Sequence, residues 1–170
     1  MSPPAAGIEI DIRCKQWALR CPDAERLVRA AAGLALAEGA EAAGIAFETP
    51  VELSIALLDD AEQRRLNHHW RGVDRATNVL AFPAWEPGGP APSDAPLLLG
   101  DVTLAAETVA REAGDQGKST LDHLSHLVVH GILHLIGYDH LTERDAAAME
   151  SLEIRILAEL GVADPYRGTM

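Results

Sequence analysis

With 170 residues, 48% of them hydrophobic, the chain has enough apolar material for one compact domain spanning residues 1–170. Its net charge of −12 excludes a general polyanion-coating protein, because nonspecific nucleic-acid binding rests on Lys and Arg neutralising phosphates. Cys14 and Cys21 form no CxxC pair, no basic-then-apolar leader is visible, and every long apolar stretch is interrupted, so a soluble cytoplasmic protein without a disulfide scaffold or a membrane span is expected.

Ile8, Ile10 and Ile12 alternate with Glu9, Asp11 and Arg13, the period of a half-buried strand. Residues 22–43, rich in Ala, Leu and Arg, read as a helix with Pro22 in its first turn. Val51, Leu53, Ile55 and Leu57 then alternate with Glu52, Ser54 and Ala56 and mark the clearest strand. Asp59 or Asp60 can cap a short helix running to about His69. Arg64, Arg65, Arg71 and Arg75 crowd this region beside His68 and His69, which fits either a solvated helix face or a local anion site. Asn78 to Phe82 predicts a third strand, stopped by Pro83.

Residues 84–96 carry Pro87, Pro90, Pro92 and Pro96 with Gly88 and Gly89, and read as a long open connection. A fourth strand follows over 100–104, then a helix to Ala113 closed by Gly114. A further helix runs over 119–136 and ends at Gly137. Thr142 caps the last helix, with Asp145 as a weak capping-box partner, and Met149, Leu152, Ile156 and Leu160 form its core-facing stripe. Strands and helices are interspersed without strict alternation. The expected class is α+β, a small mixed four-stranded sheet packed against about five helices.

The richest segment is the run from His126 to His140. At about 100° per residue, His126, His130 and His134 share one helix face, and His123 projects into the same sector. Imidazoles one turn apart can converge on a single zinc ion. Gly137 suits the left-handed conformation that ends a helix, after which the chain can return with His140 as a third ligand. A single histidine on such a face is usually a satisfied core or surface residue. Several, followed by a glycine and a returning histidine among Leu127, Val129, Leu133 and Leu135, point to a metal. Three neutral histidines leave a coordination position open, which favours a catalytic ion. Asp139 is either an orienting group for a histidine or a turn residue.

The spacing His-x3-His-x5-His resembles the metzincin protease motif, but Gly131 stands where that motif carries its glutamate base. The run HGILHLIGYDH is more specific: it resembles the signature of the YbeY family, bacterial endoribonucleases of ribosomal RNA maturation. The segment Leu66-Asn67-His68-His69-Trp70-Arg71-Gly72, then Thr77 to Pro83, Leu99 to Val102, and the stretch from Leu160 to Tyr166 also resemble that family. Val73, Ala76 and Ala81 depart from its common Lys, Pro and Ser.

The resemblance implies a zincin-like metal helix, with one zinc per chain held by His130, His134 and His140. It implies Arg71 as the catalytic residue, clamping a substrate phosphate, and Arg75 as a second substrate contact in place of the missing lysine. The implied partners are ribosomal RNA and the small ribosomal subunit, with a role in ribosome quality control and no role for DNA. The general base stays open among Asp139, His126 and a water-mediated group. Two alternatives stand beside this reading: a zincin-like metallopeptidase, which Gly131 opposes, and a ribosome-binding module with a structural zinc, which the acidic charge favours. Imidazole ligands also suit nickel and copper.

Overall fold

Alternation along the strands builds one sheet. A computed structural model describes residues 6–167. Strands β1 (Ala6–Ile12), β2 (Val51–Leu58), β3 (Val79–Pro83) and β4 (Leu97–Ala105) pair in the order β1-β2-β4-β3. β1, β2 and β4 are parallel, and β3 lies antiparallel to β4 with Val79 opposite Leu104 and Pro83 opposite Gly100. Val51, Leu53, Ile55 and Leu57 are buried as their spacing predicts, whereas Glu52 is exposed. Ser54 and Asp101, neighbours across the β2–β4 pair, are joined by a hydrogen bond from the Ser54 hydroxyl to the carboxylate.

The helices among the described residues are α1 (Lys15–Arg20), α2 (Ala24–Ala43), α3 (Asp60–Arg71), α4 (Ala106–Asp115), α5 (Thr120–Leu135) and α6 (Glu143–Glu159). The mixed four-stranded sheet is as expected, with one helix more than the pattern suggested. Helix α1 escapes periodicity because it is six residues long. It is fixed from outside: Trp17 is 1% exposed, and its indole Nε1–H donates to Leu58 O at 3.1 Å. Several boundaries also differ: Pro83 does not stop β3 but belongs to it, paired opposite Gly100, and α3 runs past His69 to Arg71. Helix α2 starts after Pro22, which lies in the preceding turn. Strand β4 begins at Leu97, because its pairing with β2 extends beyond Gly100. Helix α4 continues through Gly114 to Asp115, and the left-handed glycine that follows is Gly117, φ 68°.

Helix α5 is the centre of the molecule. Leu124, Val128, Val129, Ile132, Leu133 and Leu135 are all fully buried, as befits a helix that is apolar around most of its circumference. It packs on β3 and β4 on one side and meets α2, α4 and α6 on the others. The starts of the three site-bearing helices are fixed locally, with side-chain oxygens accepting from backbone N–H groups. Asp59 caps α3 through Glu62 N at 2.8 Å, Ser119 caps α5 through Asp122 N at 3.1 Å, and Thr142 caps α6 through Asp145 N at 3.1 Å. No helix among the described residues is long and apolar enough to cross a membrane.

Candidate active site

His130 and His134 lie one turn apart near the C-terminal end of α5, where the helix stops at Leu135. Gly137 follows with φ 106°, a conformation that costs an L side chain strain, and the chain turns back to place His140 beside the other two. Ring centroids are 4.5 Å apart for His130–His134, 5.1 Å for His134–His140 and 5.8 Å for His130–His140. One nitrogen of each ring lies within 4.8 Å of the others. His130 Nε2 and His134 Nε2 face each other at 3.0 Å. Two nitrogens on one tetrahedral zinc, at bond lengths of about 2.0–2.1 Å, stand roughly 3.3 Å apart. A small adjustment therefore brings this pair to the spacing a bound cation sets. Burial, then the neighbouring His130 and His140, push the His134 pKa down to about 4. It is accordingly neutral at physiological pH, the form that ligates a metal.

A residue that sequence reasoning missed stands behind this trio. Glu153 on α6 is 0% exposed, and its Oε1 lies 3.0 Å from His130 Nδ1. Its Oε2 lies 2.7 Å from His126 Nε2 and accepts from the Tyr166 hydroxyl at 2.7 Å. Burial alone would raise the Glu153 pKa, but hydrogen bonds from His126 and His130 outweigh it and hold the carboxyl at about 2. Burial, then the hydrogen bond to Glu153, raise the pKa of the Tyr166 hydroxyl. The available signal was the position of Glu153 one residue after Leu152 in the apolar stripe of α6, a charge at the margin of a core face.

The other histidines of α5 do not join the trio. His126 turns to Glu153 and Tyr166, and His123 is buried against Glu112 of α4 at 2.9 Å. Sharing a helix face was correct geometry, but carboxylates on α4 and α6 take up the rings nearer the start of the helix. Asp139 acts as a turn residue, with its Oδ1 accepting from Leu141 N at 3.2 Å.

Arg71, the last residue of α3, lines a cleft of about 350 Å³ together with His130, His134, His140, Asn78 and Ala81. Its Nη2–H donates to Ala81 O at 2.6 Å, and its guanidinium carbon lies 5.5 Å from the centre of the Phe82 ring. The remaining guanidinium N–H groups have no hydrogen-bond partner among the described residues. Arg75 lies outside this cleft, in a shallow depression with Asp60, Arg64 and Asp74. Gly131 is buried at the cleft floor, where α5 presses on the sheet; an added Cβ would sit 2.8 Å from Val102 Cγ1 and 3.4 Å from Val79 Cγ2. The position that carries the base in metzincin proteases is thus filled by the neighbouring strands.

The site is a small open cleft walled by convergent imidazoles and one tethered arginine. The sequence profile of the family described as Endoribonuclease YbeY matches residues 11–161, and the chain belongs to that family. A protein of Rhodopseudomonas palustris (strain BisA53) named Endoribonuclease YbeY is 51% identical over 165 residues, covering 96% of this chain and 91% of the relative. Another of that name from Paramagnetospirillum magneticum is 51% identical over 160 residues, covering 94% of each chain. A solution structure from Thermotoga maritima aligns over 91% of each chain with 23% identity and a TM-score of 0.49.

Proposed function

We propose that this chain is a zinc-dependent endoribonuclease that hydrolyses RNA phosphodiester bonds, with His130, His134 and His140 holding one ion. The observation that carries the proposal is the shared cleft, in which three convergent histidines and the free donors of Arg71 face one space. The names of its relatives give the substrate class. When bound, the cation supplies Lewis acidity toward a phosphoryl oxygen and lowers the pKa of water at its open position.

The chain's own residues do the rest. Ala81 O and the Phe82 ring fix the direction of Arg71, so its unused N–H groups can hold two oxygens of one phosphate and stabilise charge developing there. Arg75, beyond the cleft edge, serves as a flanking phosphate contact. His126 and Asp139 are engaged elsewhere, which leaves a water-mediated group as the proton acceptor. The net charge of −12 disfavours capture of bulk RNA and suits a substrate presented by a partner. On this reading the substrate is ribosomal RNA and the presenting partner is the small ribosomal subunit, in cytoplasmic maturation and quality control, as the family resemblance implies.

A metallopeptidase is disfavoured because Gly131 offers no base and an added Cβ there would crowd Val102 at 2.8 Å. A purely structural zinc is disfavoured because the trio has three members and its His140 is exposed, which leaves the ion open.

Elemental analysis of protein purified without added metal should find about one zinc per chain, lost in the His130→Ala, His134→Ala double variant. Arg71→Ala should keep the zinc and lose about 10²–10³-fold in cleavage rate on a single-stranded ribosomal RNA fragment, the scale for removing one transition-state donor. Undiminished cleavage by Arg71→Ala, or none by zinc-loaded wild type, defeats the nuclease reading.

A further inference from the structure

Each carboxylate oxygen of Glu153 meets a donor that belongs to the site or borders it. Oε1 faces His130 Nδ1 at 3.0 Å, while Oε2 faces His126 Nε2 at 2.7 Å and the Tyr166 hydroxyl at 2.7 Å. Oε2 already accepts from the Tyr166 hydroxyl, and Oε1 stands in hydrogen-bond reach of His130 Nδ1 as its acceptor, an arrangement that places the His130 hydrogen on Nδ1. Its Nε2 lone pair is then directed at His134 Nε2, 3.0 Å away inside the trio. His126 and Tyr166 hold the carboxylate from its other oxygen, and α6 supplies it from the core, where Glu153 is 0% exposed.

From this we infer that Glu153 is the positioning residue of the metal site: from α6 it fixes the tautomer and ring orientation of His130, with His126 and Tyr166 as its buttress. The inference rests on the proposal that His130 ligates a metal. His126, His130 and Glu153 also lie close enough together to suggest a cation of their own. His130 cannot serve both places as a neutral ring, because the nitrogen facing Glu153 carries the hydrogen that frees the other for the trio.

Two measurements test this, and both use the full chain. In the zinc-free wild type at pH 8, imidazole ¹⁵N shifts should show His130 protonated on Nδ1; protonation on Nε2 overturns the inference without any variant. Glu153→Gln, checked for folding by near-UV circular dichroism, should lower zinc affinity about 10–100-fold in a chelator competition, the range for loss of such an orienting partner, and should mix the His130 tautomers. Tyr166→Phe, at a residue 43% exposed and so less dangerous to folding, should weaken zinc binding in the same direction by less than tenfold.

Wild-type zinc affinity in both variants, with the Nδ1–H tautomer retained, reduces Glu153 to a packing residue and ends the inference. That result leaves the metal reading intact, whereas a wild type that binds no zinc removes the metal reading and this inference with it. Two zinc ions per wild-type chain, falling to one in Glu153→Gln, would place a cation at Glu153 and also overturn the inference.

Discussion

At Gly131 the absence of a side chain does two things. It lets α5 approach β3 and β4 closely, and it removes the position from catalytic use. An added Cβ would stand 2.8 Å and 3.2 Å from the two methyl groups of Val102, a stiff β-branched neighbour. Gly131→Glu, which supplies the missing protease glutamate, should therefore destabilise the protein by about 1–3 kcal/mol through overpacking and confer no casein cleavage. Urea unfolding with an unchanged midpoint would show that the helix–sheet contact has room to spare. Arg71 is the converse case: an exposed residue whose use depends on a tether, since without Ala81 O and Phe82 its charge would be one more mobile cation on an acidic surface.

Between elements, histidines tie α5 to its neighbours, and His123 is the buried one among them. Glu112 of α4 accepts from Asn78 Nδ2 at 2.9 Å and lies 2.9 Å from His123 Nε2. Burial lowers the His123 pKa, with Glu112 opposing and His126 and Lys118 adding to the depression. A histidine depressed in the folded state leaves the unfolded chain to take up the proton first. Its contribution to stability is therefore complete above about pH 6.5 and is lost as pH falls from there toward the folded value. The melting temperature of the zinc-free protein should decline from pH 7 to pH 5, and less steeply in His123→Gln. Parallel declines in the two proteins would assign the acid sensitivity to other groups. Helix α6 makes the corresponding connection at the site itself, carrying Glu153 to His126 and His130.

For the molecule as a whole, charge and site pull in different directions. A chain at −12 should hold RNA through very few phosphates, those at Arg71 and Arg75. Single-strand binding loses about 0.7 in log K per unit of log salt for each phosphate neutralised, so with two phosphates the slope for this protein should be shallow, about −1.4. Fluorescence anisotropy of a labelled RNA between 50 and 200 mM salt reads it. A slope several times steeper would mean that a cationic face beyond these two arginines engages the RNA.

The linear chain carried what short spacings can encode. The period-two alternation of Val51 to Leu57, the cap at Thr142, the cap narrowed to Asp59 or Asp60, and the histidine pair with its glycine turn are all local, because hydrogen bonding and side-chain direction within a few residues fix them. Tertiary structure decided the matters that depend on distant parts of the chain meeting. It drew His123 and His126 away to carboxylates on other helices, brought Arg71 from α3 to the cleft, and set Glu153 behind His130 across a span of 23 residues. A helical period states which side chains share a face, but their partners across that face are supplied by packing, and no spacing along one helix records them.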